Sequence, residues 1–553
     1  MSASQADIRP TLLAPQWTKA SFWRTRGRYP LGVEAVNLNQ LNELASGLPV
    51  LSRHPRYWSM YTHIVKSFWD RGIAPQNAAA LSRFFRPHEI VFAAAALLCD
   101  RHSELPGIIG RDTIAPYLKE GHEDLRLDLD YLDQRLGGYG QVYRGGMADL
   151  GLILRAELNP KARLDAPFGE LGASVADAFR DAISGTTYAR RHAGQTEGTI
   201  PLGVIRELGQ VSCFCRLADG GSERGLLVDV LLGHKQASEV SHKNRSATVQ
   251  LFLDFAAASS DHPMNEDGFR RSVYWAGAGT ATWRPSASLV SIWRRWWLVR
   301  HREIVIGALN ALLVHLVRWG HDSGGTLAAL PLAEYATSLS SIPVPVGLGL
   351  GSARMGEVSA GAVMGAIDSS VRRDGWPMDP RDDSLQEDQF LEAAKYGTIP
   401  EAPAYLVLTL LTSVARLAIF LDAGNASAEE QAAIDDGGTD RLSTSLLAGW
   451  VRRRVAEDAS LAEFAFALIR LFVVRQHQRI ARGKLAQGED TFRFHEDAGS
   501  LIFVDQGDRN GIEPISMRFS AVTSALSELG LIAASVQDAG HPPTQLGQQI
   551  IIG

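Results

Sequence analysis

The residues best suited to chemistry are arginines at helical spacing near the C-terminal end of the chain. Arg475, Arg479 and Arg482 fall at i, i+4 and i+7, with His477 and Lys484 among them, so the three arginines project from one side of a helix. The preceding turns, Phe464–Val474, are almost wholly apolar and anchor that helix. Such a cationic stripe can neutralise phosphates and position a duplex without reading its sequence. The competing reading is a solvated helix end, where Lys and Arg complement the dipole. A second cluster, Arg294-Arg295-Trp296-Trp297 with Arg300, His301 and Arg302 behind it, mixes cations and aromatics in the way that suits phosphates and bases. Tryptophans at 293, 296 and 297 equally suit a buried helix face with arginines snorkelling outward. Arg53-His54-Pro55-Arg56-Tyr57-Trp58 precedes a helix and can grip an anion at its N-terminus, although packing is the plainer role.

Signatures of catalysis are weak. The chain contains no G-x-x-x-x-G-K-[ST], no G-x-S-x-G and no H-E-x-x-H. The glycine run Gly347-Leu348-Gly349-Leu350-Gly351 follows a strand-like segment broken by Pro345, with no suitably placed lysine. Cys213 and Cys215 stand one residue apart, unlike the spacing of a zinc knuckle, and no second pair exists; with Cys99 they read as structural thiols. No metal and no cofactor is expected. The acids Glu123, Asp124, Asp128, Asp130 and Asp133 alternate with leucines and read as a solvated flank. A strand over Leu226–Leu232 carrying Asp229, followed by His234-Lys235, Glu239 and Lys243, is similar to a metal-dependent nuclease core but lacks its Glu-x-Lys spacing. His477 and His495 have no partner identifiable from spacing and read as surface or satisfied core histidines.

The elements that must position these groups are mostly helical. At 553 residues the chain exceeds one hydrophobic core. Apolar residues at 45% and charged residues at 21% are ordinary for a globular protein, and a net charge of −6 argues against a wholesale basic coat. Residues 1–30 mix proline, tryptophan and arginine without periodicity and read as an arm. Helical patterns cover Val33–Leu44, Tyr57–Trp69, Glu89–Cys99 (with Pro87 near its start), Pro167–Ile183, Ala247–Ala258 and Ile292–Trp319. Strands are few: Val211–Leu217, Leu226–Leu232, Thr491–His495 and Leu501–Val504. This organisation predicts helical domains over 31–165 and 166–322, a Gly/Pro-rich connector or insertion over 323–403, and a helical domain over 404–553. An exposed acidic loop is expected at Ala423–Asp440. The apolar runs Ile304–Val317 and Tyr405–Leu421 fall short of a membrane span and read as core helices. Three cysteines and a polar, proline-broken start predict a cytoplasmic location and no membrane association.

The C-terminal order of basic helix, two strands and the amphipathic segment Phe519–Ile532 resembles a winged-helix module. Its strands precede the candidate recognition helix, which weakens base-reading roles for Arg518 and Ser520. Pro30-Leu31-Gly32, Arg53–Tyr61, Gly138–Gly151, Glu207-Leu208-Gly209, Arg302 with Leu309-Asn310, Gln476–Lys484 with Phe492–Phe494, and Leu526–Ile532 together resemble a group of bacterial proteins from multi-gene anti-phage defence or mobile-element operons. The resemblance transfers no catalytic residue. It implies a component acting beside a partner subunit that supplies ATPase or nuclease activity. The expectation is therefore a mainly α, multi-domain, non-enzymatic defence protein. It binds DNA or a partner from the same operon through Arg475, Arg479, Arg482 and Lys484 and through Arg294, Arg295, Arg300 and Arg302. A metal-dependent nuclease subunit and a purely structural scaffold are the alternatives.

Overall fold

A single long helix, Val290–Gly324, organises the chain. Its 35 residues span about 52 Å at 1.5 Å per residue. Trp293, Trp296, Trp297 and Ile304 on its first half are buried in one apolar core, whereas Val305, Leu309, Leu312 and Leu316 on its second half are buried in another. The computed structural model describes residues 29–73, 76–101, 107–159, 163–233, 240–259, 264–278, 281–324, 327, 329–345, 353–378, 384–424, 426–435, 442–504, 515–533 and 540–552. Among these the architecture is mainly helical, with 65% of residues in helices and only short strands.

The first core gathers the helices Arg56–Asp70, Ala78–Leu97, Gly169–Ile183, Leu202–Ser212, Ser222–Leu232, Val240–Ala258 and Glu266–Trp275, with Phe519–Glu528 returning from the far end of the chain. The second is built from Leu332–Ser340, Ala360–Asp374, Ala402–Asp422, Thr444–Val455 and Leu461–Leu468. Helix Ala402–Asp422 also serves both, burying Leu406–Ala415 in the second core and Leu417 and Phe420 in the first. This helix and the segment Ala287–Gly324 are long and apolar enough to cross a membrane, yet 78% and 72% of their most apolar windows lie inside the protein. Helices covered all round by other helices must be apolar all round. Arg416 interrupts that apolar surface, and its guanidinium is met there by Asp374 at 2.6 Å and Glu387 at 3.4 Å. Glu387 in turn accepts the Tyr274 hydroxyl from the first core. A buried charge is tolerated when paired in this way.

Several expected elements take another form. The proposed strands Val211–Leu217 and Leu226–Leu232 are the end of helix Leu202–Ser212 with a 3-10 turn Phe214–Asp219, and the helix Ser222–Leu232. A short, mostly apolar run carries no clear period, so its neighbours decide its conformation. Here Gly233, at φ 67°, donates its N–H to the Asp229 carbonyl in a left-handed helix cap. Pro87 lies inside the helix Ala78–Leu97, which starts earlier because Asn77 caps the amides of Ala79 and Ala80 at 3.0 and 2.9 Å. Within the segment 323–403, expected as a connector or insertion, the helices Leu332–Ser340, Ala360–Asp374 and Glu387–Ala394 contribute to the packing. Within the expected acidic loop, Ala428–Asp435 is helical and Glu430 is buried. Residues 1–28, the glycine run 347–351 and residues 234–239 lie outside the described residues.

Among the described residues the C-terminal strands and the closing helix do not share one core. Strands Phe494–Asp497 and Ser500–Phe503 pair with each other and, through the latter, with Ala329–Pro331 in a three-stranded antiparallel sheet, with Leu330 opposite Leu501 and Phe494 opposite Phe503. Phe494, Leu501 and Phe503 enter the second core, whereas Phe519, Val522, Leu526 and Leu529 enter the first. Gly320 lets the sheet press onto the long helix: a Cβ there would stand 2.2 Å from the Phe503 ring.

Candidate functional site: a basic groove beside a π-helical turn

Helix Thr444–Val455 starts at Ser443, whose hydroxyl accepts the Leu446 amide at 3.1 Å, and ends in Arg452, Arg453 and Arg454. Three cations in a last turn suit the helix dipole. They do not share one task. Arg452 is held by Asp368 at 2.8 Å, Arg454 pairs with Glu457, and Arg453 is exposed with no ion pair among the described residues. The chain then turns into helix Leu461–Leu468, which opens with a capping box. Glu463 donates its amide to the Ser460 hydroxyl at 3.2 Å and accepts the Ser460 N–H at 2.9 Å. That second contact holds the Glu463 carboxyl below its ordinary pKa.

Next comes a π-helical stretch, Ile469–Arg475. Residues five apart on an α-helix point about 140° away from each other. The i to i+5 bonding of a π turn brings them toward one side. Arg470 and Arg475 are five apart, both are exposed, and both line the same groove, while Ile469, Phe472, Val473 and Val474 face the second core. The groove encloses about 1020 Å³ between this stretch, helix Thr444–Val455 and the outer side of helix Leu332–Ser340. Trp450, Phe466 and Leu471 supply its apolar surface, and Arg453, Arg454, Arg470 and Arg475 its cations. Trp450 is fixed by Phe464 and Phe472, at ring centroid distances of 5.6 and 5.1 Å. Of the three acids at the groove, Glu457 is occupied by Arg454 and Glu463 by the helix cap, leaving Asp458. Unpaired guanidinium groups beside a half-buried indole can neutralise an anion and stack against a planar group.

Of the expected stripe, only Arg475 belongs to this groove. Arg479 and Arg482 are exposed further along, on helix Gln476–Leu485. Lys484 is drawn back toward the start of the described chain, 3.5 Å from the Tyr29 carbonyl, and desolvation lowers its pKa. His477 is a satisfied core residue. Its Nδ1 lies 3.1 Å from the Pro30 carbonyl, its Nε2 accepts the Arg493 amide at 2.9 Å, and burial pushes its pKa down to about 4.

The second expected basic face is inside the protein. Arg294 forms a paired contact with Glu430 at 2.6 and 3.1 Å and stacks over Phe420 at 3.9 Å. Arg295 reaches Glu43 at 2.9 Å, Arg300 meets Glu303 at 2.7 Å, and Arg302 donates to Thr444 at 3.0 Å and to the Ala433 carbonyl at 2.7 Å. Arg294, Arg295 and Arg302 join elements rather than face a ligand, and Arg300 is paired within its own helix. The partners of Arg294, Arg295 and Arg302 lie 136, 252 and 142 residues away in sequence, which is why spacing within the helix could not reveal them. Arg56 is likewise internal, bonded to Glu223 at 2.9 Å. Asp229 sits on helix Ser222–Leu232, so the strand of a nuclease core is absent there, and among the described residues no set of acidic side chains converges as metal ligands.

Sequence reasoning passed over Arg453, Arg454 and Arg470. For Arg470 a signal was present: it is the one charge within the apolar run Phe464–Val474, and a charge kept there must reach either solvent or a buried partner. No protein-family model, curated protein or solved structure matches the chain.

Proposed function

We propose that the protein is a non-enzymatic binding component that holds the phosphate backbone of a nucleic acid in the groove lined by Arg453, Arg470 and Arg475. The observation carrying this reading is that three exposed arginines without ion-pair partners among the described residues converge beside Trp450. Arg479 and Arg482 extend the positive surface along the adjoining helix. Binding of this kind positions a strand and falls steeply with salt. The resemblance to defence-operon proteins supports a partner subunit as the source of any catalysis and the bacterial cytoplasm as the place of action.

A fluorescence-anisotropy titration of duplex DNA, single-stranded DNA and RNA across a salt series tests the reading. Replacing Arg453, Arg470 and Arg475 with alanine is expected to weaken binding at low salt. The log–log salt slope should flatten by roughly 0.7–0.9 for each phosphate that is no longer neutralised. Absence of binding to all three at low salt, or a triple variant indistinguishable from the parent, rejects it.

A second reading, a protein partner docked in the same groove, is favoured by Asp458 among the arginines. A mixed-charge lining complements a mixed-charge protein surface better than a polyanion. Salt-insensitive co-purification with a neighbouring gene product, abolished in the same triple variant, would select this second reading.

A further inference from the structure

The chain has three cysteines in 553 residues, and the fold brings all three together. Cys99 follows helix Ala78–Leu97, while Cys213 and Cys215 follow helix Leu202–Ser212. The two helices pack backbone to backbone: a Cβ on Gly209 would stand 2.3 Å from the Ala95 carbonyl oxygen. Ala95 precedes Cys99 by the same one-turn interval as Gly209 precedes Cys213, so the close approach delivers both thiols to one place. The 3-10 turn Phe214–Asp219 then folds Cys215 back onto Cys99, with the two sulfurs 3.7 Å apart. All three sulfurs lie within 4.8 Å of one another.

We propose that Cys99, Cys213 and Cys215 bind one zinc ion through their three thiolates, with the exposed Asp100 carboxylate turning in from beside Cys99 to take the fourth position. A tetrahedral zinc with Zn–S bonds of about 2.3 Å requires its ligand sulfurs roughly 3.8 Å apart. The Cys99–Cys215 separation matches that edge, and Asp100 Oδ1 lies 3.8 Å from Cys99 Sγ. A disulfide would use two of the sulfurs and leave the third without a role. The surroundings supply what a thiolate-rich site requires outside its ligands. Arg216 holds Asp100 Oδ1 at 2.7 Å and is itself fixed by Gln210 at 2.7 Å, while Arg56 donates to the Cys213 carbonyl at 2.6 Å. Such outer contacts orient ligands and offset their charge. Cys99 and Cys213 are buried, and Cys215 is partly exposed beside the exposed Asp100, which leaves a route for the ion. Metal binding here would clamp two helices of the first core by joining their C-terminal ends, and the ion is a structural one.

The test is metal analysis of the full chain purified under reducing conditions, followed by chelator stripping and titration with zinc chloride and cobalt chloride. The expected results are about one zinc per chain, a cobalt complex with sulfur-to-metal charge-transfer absorption, and release of the metal by a mercurial thiol reagent. Cys215→Ser, at the partly exposed position and so the mildest of the three changes, should lower the metal content to roughly a tenth. Asp100→Ala should weaken affinity by roughly tenfold or more. Failure of the stripped wild-type protein to take up zinc or cobalt stoichiometrically overturns the proposal. Metal uptake unaffected by mercurial blocking of the thiols overturns it equally, as does a protein that takes up no metal while reduced and is oxidised by air to a Cys99–Cys215 disulfide.

Discussion

Two arginines that look alike in sequence have opposite work to do. Arg294 is buried, paired with Glu430 and stacked over Phe420 and Trp376. Arg475 is exposed at the groove. Truncating one partner of a buried pair leaves the other charge desolvated and alone, so Arg294→Ala is expected to cost about 3–5 kcal/mol. Arg475→Ala should change stability by no more than about 0.5 kcal/mol. Urea denaturation of the two variants checks the contrast, and equal losses would show that the burial assignment is mistaken. The positions of these residues on helices were legible from spacing. What covers each face was not, because Glu430 and Phe420 are supplied by segments more than a hundred residues away.

At the scale of elements, helix limits followed from caps and periods, whereas close approaches depended on glycine. Gly203 and Gly209 lie on the same helix, Leu202–Ser212, but Gly203 has open space around its Cα and Gly209 meets the Ala95 carbonyl. Adding a methyl group at Gly209 pushes against backbone, which cannot rotate away, and this outweighs the helix preference for alanine. Gly209→Ala is therefore expected to lower stability by about 1–3 kcal/mol, and Gly203→Ala to be neutral or stabilising by less than about 1 kcal/mol. Thermal melts of both proteins decide the matter; a Gly209→Ala variant as stable as the parent would mean that the helices have room to separate. Nothing in the spacing of glycines distinguishes these two positions. The π-helical stretch Ile469–Arg475 escaped notice for a related reason: its residues fit an α-helical pattern nearly as well, and the second core selects the wider turn by burying Ile469, Phe472, Val473 and Val474 together.

At the scale of the molecule, helix Val290–Gly324 belongs to both cores and passes between them near Ile304 and Val305. The buried chain from Tyr274 through Glu387 and Arg416 to Asp374 ties them a second time. Such connections couple the cores in one unfolding event, so tryptophan fluorescence, dominated by Trp58, Trp275, Trp283, Trp293, Trp296 and Trp297 of the first core, should track helix loss by circular dichroism. Val305→Pro removes a helix hydrogen bond at the crossing point and should cost about 3 kcal/mol or more. It should also separate the two denaturation curves. Coincident curves with an unchanged midpoint would show that the long helix does not transmit the coupling.

The amino-acid sequence by itself determined the mainly helical class and the approximate course of helices such as Glu34–Leu44, Arg56–Asp70 and Gly169–Ile183, because apolar spacing acts within a few turns. It also determined the approximate place of the short C-terminal strand pair, whose second strand alternates at Leu501 and Phe503. Tertiary structure alone decided that the strands and the closing helix enter different cores, and that Arg294–Arg302 is interior. It alone brought Arg453, Arg470 and Arg475 to one groove and the three cysteines to one point. Local spacing specifies which side of an element a residue occupies; which distant segment meets that side is set by packing of the whole chain.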